Sequence, residues 1–241
     1  MTDAQLAAQL AEEAGRLLLA IRARGQHCGK ALGQAGDEAA NAMLVSALRD
    51  LRPDDGLLSE EERDSAARLG QSRVWIIDPL DGTREFAEGR ADWAVHVALA
   101  IDGIAAVGAV ALPALGQLFV SDRPIVRAPA PPRPRMVVSR TRPPAEAQCV
   151  AQALTAKLVP MGSAGAKAMA VVRGDAEIYL HAGGQHQWDN CAPVAVAAAQ
   201  GLFCSRLDGS PLVYNAAGTL VPDLLICDPA LAESVLALLA R

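Results

Sequence analysis

Two patterns divide this sequence, and together they predict a mixed fold of α+β / α/β class. Up to about residue 130, long helical periodicities are followed by apolar strands joined by hairpin signals. Beyond it, short strands and helices alternate, which is α/β patterning. Between them, Ala128-Pro129-Ala130-Pro131-Pro132-Arg133-Pro134-Arg135 is dense in proline, which stiffens the backbone and excludes helix or central strand. We therefore expect an N-terminal α+β half, residues 1–130, and a C-terminal α/β half, residues 131–241.

The elements follow in order. Leu6, Leu10, Ala14, Leu17, Leu18 and Ile21 recur at helical spacing and predict an amphipathic helix over 3–24. Asp37 stands before Ala40, Met43, Leu44, Ala47, Leu48 and Leu51, and read structurally it is the N-cap of a second helix. Residues 57–59 form a short strand. The run Glu60-Glu61-Glu62 then suits the first turn of a helix, where the dipole favours carboxylates. Val74-Trp75-Ile76-Ile77 is a buried strand that ends in Asp78-Pro79-Leu80-Asp81-Gly82-Thr83. Runs 93–101 and 104–112 join across Asp102-Gly103 as a hairpin, and 116–121 adds a strand. His96, inside the first of these runs, reads as a satisfied core residue. In the second half we expect strands at 136–139, 157–161, 176–180, 202–205 and 223–227. Helices are expected at 144–156, 165–173, 190–200 and 229–240.

Hydrophobic residues make up 51% of the 241 and aromatics only 3%, so the core must be built from Ala, Val and Leu. A net charge of -5 without a basic stripe argues against a nucleic-acid duplex as partner and leaves room for a small phosphorylated ligand. The five cysteines are odd in number and never in a Cys-x-x-Cys spacing, which reads as reduced thiols rather than disulfides or zinc ligands. The sequence start, Met-Thr-Asp-Ala-Gln, has no basic region followed by an apolar core. The apolar runs at 94–101 and 104–112 are too short for a bilayer, so no membrane association and a cytoplasmic location are expected.

Asp78 and Asp81 at a strand end are a turn if taken alone. Glu60 and Asp189, itself readable as a helix N-cap, would complete an oxygen-only cluster, and the Leu80 carbonyl could face the same point. Such a set favours magnesium or manganese over zinc. Gly162-Ser163-Ala164-Gly165-Ala166-Lys167 is a small-residue turn opening a helix. Its free N–H groups and one lysine suit a phosphate, and close packing explains it equally well. Ser139-Arg140-Thr141 ends a strand, where open α/β sheets take ligands. Metal-assisted phosphate-ester hydrolysis uses these parts; no Gly-x-Ser-x-Gly elbow or activated cysteine supports covalent chemistry instead.

Leu58-Ser59-Glu60-Glu61, Trp75-Ile76-Ile77-Asp78-Pro79-Leu80-Asp81-Gly82-Thr83 and Trp188-Asp189 resemble, in order and separation, the three signatures of the inositol monophosphatase superfamily. Arg84-Glu85-Phe86, Val138-Ser139-Arg140, Ser163 through Val171 and His181-Ala182-Gly183-Gly184-Gln185 are most similar to its CysQ-type 3'(2'),5'-bisphosphate nucleotidases, in their actinobacterial branch. The resemblance implies a layered α/β/α/β/α sandwich. It implies two or three Mg2+ ions, replaceable by Mn2+, on Glu60, Asp78, Leu80, Asp81 and Asp189. It gives catalytic roles to Asp37, Thr83 and Glu60, with Thr83 and Asp37 activating water. Substrate contacts fall to Gly82, Thr83, Arg84, Ser139, Arg140, Ser163, Lys167 and Asp189. Ala35-Gly36 before Asp37 departs from the threonine often found there. The implied reaction removes the 3'-phosphate of adenosine 3',5'-bisphosphate, or of its 5'-phosphosulfate, in sulfate assimilation, with inhibition by lithium. Inositol monophosphatase or fructose-1,6-bisphosphatase activity is the nearer alternative, and a non-catalytic nucleotide- or metal-binding protein the distant one. Monomers and homodimers both occur in the superfamily.

Overall fold

The computed structural model describes residues 1–127 and 129–240; Ala128, in the proline-rich break, and Arg241 lie outside the described residues. Helices α1 (Asp3–Arg24) and α2 (Gly29–Leu51) come first. A capping box starts α1: Thr2 Oγ1 accepts from Gln5 N at 3.1 Å, and Gln5 Oε1 accepts from Thr2 N at 2.9 Å. Helix α2 begins eight residues before Asp37, so Asp37 lies within the helix and is not its N-cap. The glycines at 29, 33 and 36 weaken a helix on propensity alone. Close packing outweighs that cost. A Cβ at Gly33 would stand 2.6 Å from the Thr83 methyl, so only glycine lets α2 approach that residue.

The first sheet has the order β1-β2-β3-β4-β5: β1 (Gly56–Ser59), β2 (Arg73–Asp81), β3 (Ala94–Ile101), β4 (Ile104–Leu112) and β5 (Gln117–Val120). Strands β1 and β2 are parallel and the remaining pairs antiparallel. Glu60–Glu62 do not open a helix as the acidic run suggests. Glu60 N donates to Ile77 O at 3.3 Å, which holds the chain along β2, and the next helical element is a 3-10 turn at Ala66–Gly70. Strand β2 continues through Asp81, with a register shift against β3 between Asp78 and Asp81. Pro79 falls within that irregularity, where a strand tolerates the loss of a donor. A short helix α3 (Thr83–Ala87), not expected from the sequence, follows directly.

The second sheet has the order β7-β6-β8-β10-β9: β6 (Arg135–Ser139), β7 (Lys157–Met161), β8 (Ile178–His186), β9 (Phe203–Ser205) and β10 (Leu220–Cys227). Strand β6 is parallel to β7 and β8; β10 is antiparallel to β8 and β9. Helices α4 (Ala145–Ala153), α5 (Ala164–Arg173), α6 (Gln187–Ala199) and α7 (Pro229–Leu239) complete the chain. Strand β8 runs on past residue 180 and β10 starts before residue 223, because Leu220 pairs with His186, Val221 with Gln185 and Asp223 with Ala182.

Alternation along the strands creates the layers. Trp75, Ile77, Val95, Val97 and Leu99 face α1 and α2, packing with Leu10, Leu18 and Leu44. Val74, Ile76, Ala98 and Ala100 face the other way, against Met169 and Val172 of α5 and Ala192 and Val196 of α6. Tyr179, Leu224 and Ile226 of the second sheet close that same middle core. Met136, Val138, Ile178 and Leu225 cover α4 and α7 on the far side. The result is an α/β/α/β/α stack, with α5 and α6 between the sheets. No helix among the described residues is long and apolar enough to cross a membrane.

Candidate active site

The bulged end of β2 and the first turn of α6 put three aspartates together. Carboxylate oxygens of Asp78, Asp81 and Asp189 lie within 4.8 Å of one another. Asp78 is 1% exposed, and its Oδ1 accepts from Leu80 N at 3.0 Å. Asp189 is not the N-cap of α6. His186 holds that position, and Asp189, three residues on, accepts from His186 N at 2.5 Å. Glu60, directly after β1, stands beside Asp78.

Asp81 is bound from the other half of the chain. Its Oδ2 accepts from Ser163 Oγ and Gly165 N, each at 2.6 Å, and its Oδ1 from Ala164 N at 3.1 Å. The amides of Ala164 and Gly165 are therefore not free for a phosphate. Ala166 N is taken by Ser163 Oγ at 2.9 Å, and Gly162 N by Asp92 Oδ2 at 2.6 Å. An aspartate of β2 occupies the positive end of α5.

Crowding of like charges shows in the proton affinities. Burial, with Glu60, Asp81 and Asp189 nearby, holds Asp78 well above the ordinary carboxylate range. Desolvation, then Asp189, Glu61 and Asp81, raises Glu60 to about 7, partly offset by the neighbouring Asp78 carboxyl. Burial and Asp81 raise Asp189 to about 6. Asp81 is the exception: burial alone would raise it, but His96, Ser163 and Gly165 hold it at about 2. The donors are all oxygen and repel one another, and a hard cation relieves that repulsion.

A cleft of about 500 Å³ opens beside this cluster. Of the residues to which the resemblance gives catalytic, substrate or metal roles, Asp37, Asp78 and Leu80 do not line it and the others do. Asp78 and Leu80 are buried at its base, and the Leu80 carbonyl accepts from Thr83 Oγ1 at 3.2 Å. Asp37 lines a neighbouring cavity of about 610 Å³ that shares Thr83 and Arg84 with the first. There the Thr83 hydroxyl also faces the Asp37 carboxylate, whose pKa rises to about 7 through burial, Glu61 and Glu60.

The basic side chains of the cleft differ in how they are held. Arg140 Nε donates to Glu85 Oε1 and its Nη2 to Glu88 Oε2, both at 2.7 Å. Lys167 turns back on its own helix start, donating to Gly162 O at 2.7 Å and Ser163 O at 2.5 Å, and burial lowers its pKa to about 8. Ser139 Oγ accepts from Arg142 N at 3.2 Å. Arg84 forms no side-chain ion pair among the described residues.

The Inositol monophosphatase family model matches residues 3–126 and 131–240. The chain belongs to the inositol monophosphatase family. This family is metal-dependent, and the buried acidic cluster is where its chemistry fits. A 3'-phosphoadenosine 5'-phosphate phosphatase of Mycobacterium leprae is 51% identical over 242 residues, covering 94% of this chain and 89% of that protein. The 3'(2'),5'-bisphosphate nucleotidase CysQ of Escherichia coli K12 is 32% identical over 195 residues, covering 75% of this chain and 78% of that one. The crystal structure of CysQ from Bacteroides thetaiotaomicron superposes with a TM-score of 0.82 at 24% identity, covering 94% of this chain and 97% of that chain, and so shares the fold.

Sequence reasoning missed His96 within this family framework. It is 0% exposed, sits opposite Asp78 in the β2–β3 register and lies against Asp81. The available signal was an ionisable residue in an otherwise apolar strand, beside the strand that carries the aspartates.

Proposed function

We propose that this chain is a magnesium-dependent phosphatase that removes the 3'-phosphate of adenosine 3',5'-bisphosphate, and of its 5'-phosphosulfate analogue, in sulfate assimilation. The observation that carries the reading is the meeting of Glu60, Asp78, Asp81 and Asp189 beside a cleft walled by Arg84, Arg140, Arg142 and Lys167. The relative that is 51% identical over 94% of the chain supports the choice of substrate.

Glu60, Asp78, the Leu80 carbonyl, Asp81 and Asp189 would hold two or three Mg2+ ions, with Mn2+ able to replace them. Bound there, the cations neutralise phosphate charge, lower the pKa of a bound water and stabilise the leaving oxygen. Thr83 and Asp37 take the proton of the attacking water, the hydroxyl orienting it and the carboxylate accepting it; an Asp37 pKa of about 7 suits that work near neutral pH. Gly82, Arg84, Ser139, Arg140 and Lys167 hold the nucleotide and its other phosphate. Ser163 acts through Asp81, because its hydroxyl is already committed to Asp81 and Ala166 N. The net charge of -5, with cations gathered in one cleft, favours a small nucleotide over a duplex. Free cysteines throughout suit a reducing cytoplasm. Magnesium-dependent phosphate release across bisphosphate nucleotides, inositol 1-phosphate and fructose 1,6-bisphosphate tests the proposal.

A further inference from the structure

His96 lies where three segments of the site converge. Its Nδ1 is 3.0 Å from the carbonyl oxygen of Trp188, the residue before Asp189. A carbonyl only accepts, so Nδ1 carries the proton in that bond. Its Nε2 stands 3.2 Å from Asp81 Oδ2, a close contact without hydrogen-bond geometry. The ring is wholly buried, and α5 leaves no slack around it: a Cβ at Gly165 would stand 2.1 Å from Nε2. Ser163 and Gly165 fix Asp81 to α5, whereas the Asp189 carboxylate bonds back to His186 N on its own chain segment. The imidazole thus lies between the start of α6 and the Asp81 carboxylate.

We propose that His96 is a positioning residue that sets the separation of Asp81 and Asp189, its ring hydrogen-bonded to the Trp188 carbonyl and wedged against the Asp81 carboxylate so that both aspartates face one cation. This rests on the metal-phosphatase reading above. It also assigns the two Asp81 oxygens: Oδ2 accepts from Ser163 and Gly165 and faces His96 Nε2 at 3.2 Å, and Oδ1, with its single 3.1 Å contact from Ala164 N, keeps the capacity for a cation. Groups that orient metal ligands in this way typically change metal affinity by about 10–100-fold when removed.

The test is Mn2+ titration of the purified full-length protein without nucleotide, by calorimetry or by the resonance of free Mn2+. The variants are His96→Phe, which keeps a ring and removes both nitrogens, and His96→Asn, which keeps one polar group. His96→Phe should bind Mn2+ about 10–100-fold more weakly. The Mg2+ concentration for half-maximal activity should rise in parallel, while KM for nucleotide at saturating Mg2+ stays within about twofold. His96→Asn should fall between the two. A folded His96→Phe with wild-type Mn2+ affinity would overturn the assignment. Should that variant not fold, wild-type affinity in His96→Asn would overturn it equally, and weakened affinity with unchanged KM would support it. Wild-type protein that binds no Mn2+ would instead sink the metal-phosphatase reading, and the inference with it.

Discussion

Ser163 donates its hydroxyl to Asp81 Oδ2 across 2.6 Å, joining the start of α5 to the end of β2 over a sequence separation of 82 residues. With the Gly165 and Ala164 amides on the same carboxylate, Asp81 serves as an acceptor for the N-terminus of α5. One residue thus ties together the two layers it lies between and contributes to the acidic cluster. Substitutions there should therefore affect stability as well as catalysis.

Asp81→Asn presents an NH2 group to donors already in place. The loss of satisfied charged hydrogen bonds should cost about 1–3 kcal/mol of stability, visible as a lower melting temperature without metal. Turnover should fall by several orders of magnitude, because the cluster loses a charge that holds the cation. Normal turnover in a destabilised variant would mean that Asp81 is only a cap.

Asp37→Asn and Thr83→Ala should each lower kcat by about 100- to 10,000-fold with little change in KM, the pattern of lost proton transfer. The double variant should lose little more than the worse single one, since the two side chains face each other and act as one unit. Additive losses would separate their roles.

Without metal, the protein should become less stable as pH rises. Asp37, Glu60 and Asp189 bind protons in the folded state up to about 7, 7 and 6, against 3.8, 4.5 and 3.8 unfolded. The folded state therefore holds the extra protons between roughly pH 4 and 7, and stability falls across that window. His96, also raised, acts in the same direction, its contribution being lost as pH climbs. Asp81, held at about 2, acts the opposite way: its contribution is complete above its unfolded 3.8 and is lost only as pH falls towards 2. Melting temperatures at pH 5.5 should exceed those at pH 8 in chelator. Saturating Mg2+ should reverse the order and release protons as it binds. A flat metal-free profile would contradict the crowding of these carboxylates.

Arg140 bridges Glu85 and Glu88 while lining the cleft, so it is already partly neutralised. Arg140→Ala should cost about 10–100-fold in kcat/KM for adenosine 3',5'-bisphosphate, mostly through KM. Arg140→Lys should rescue little, because one ammonium cannot replace the planar fork. An unchanged KM would make Arg140 a strap between β6 and α3 alone.

Local chemistry was legible in the sequence wherever one residue type has one strong preference. Asp102-Gly103 marked the β3–β4 hairpin, the spacing of Leu6 to Ile21 gave α1, and the β-branched run at 74–77 gave the core of β2. Failures came where tertiary contacts decide. The early start of α2 depends on Gly33 meeting Thr83, and the path of Glu60–Glu62 depends on Ile77 O. The amides of the Ser163 turn suited a phosphate by their spacing, yet they hold Asp81, a partner distant in sequence that only the fold brings within reach. His96 was hidden for the same reason: its meaning lies in Trp188 O, 92 residues away.

The most direct test compares kcat/KM for adenosine 3',5'-bisphosphate and inositol 1-phosphate at saturating Mg2+, with a chelator control. The account predicts strong preference for the nucleotide, release of the 3'-phosphate to leave AMP, and no turnover in chelator. Clear preference for inositol 1-phosphate, or release that survives removal of the metal, would contradict it.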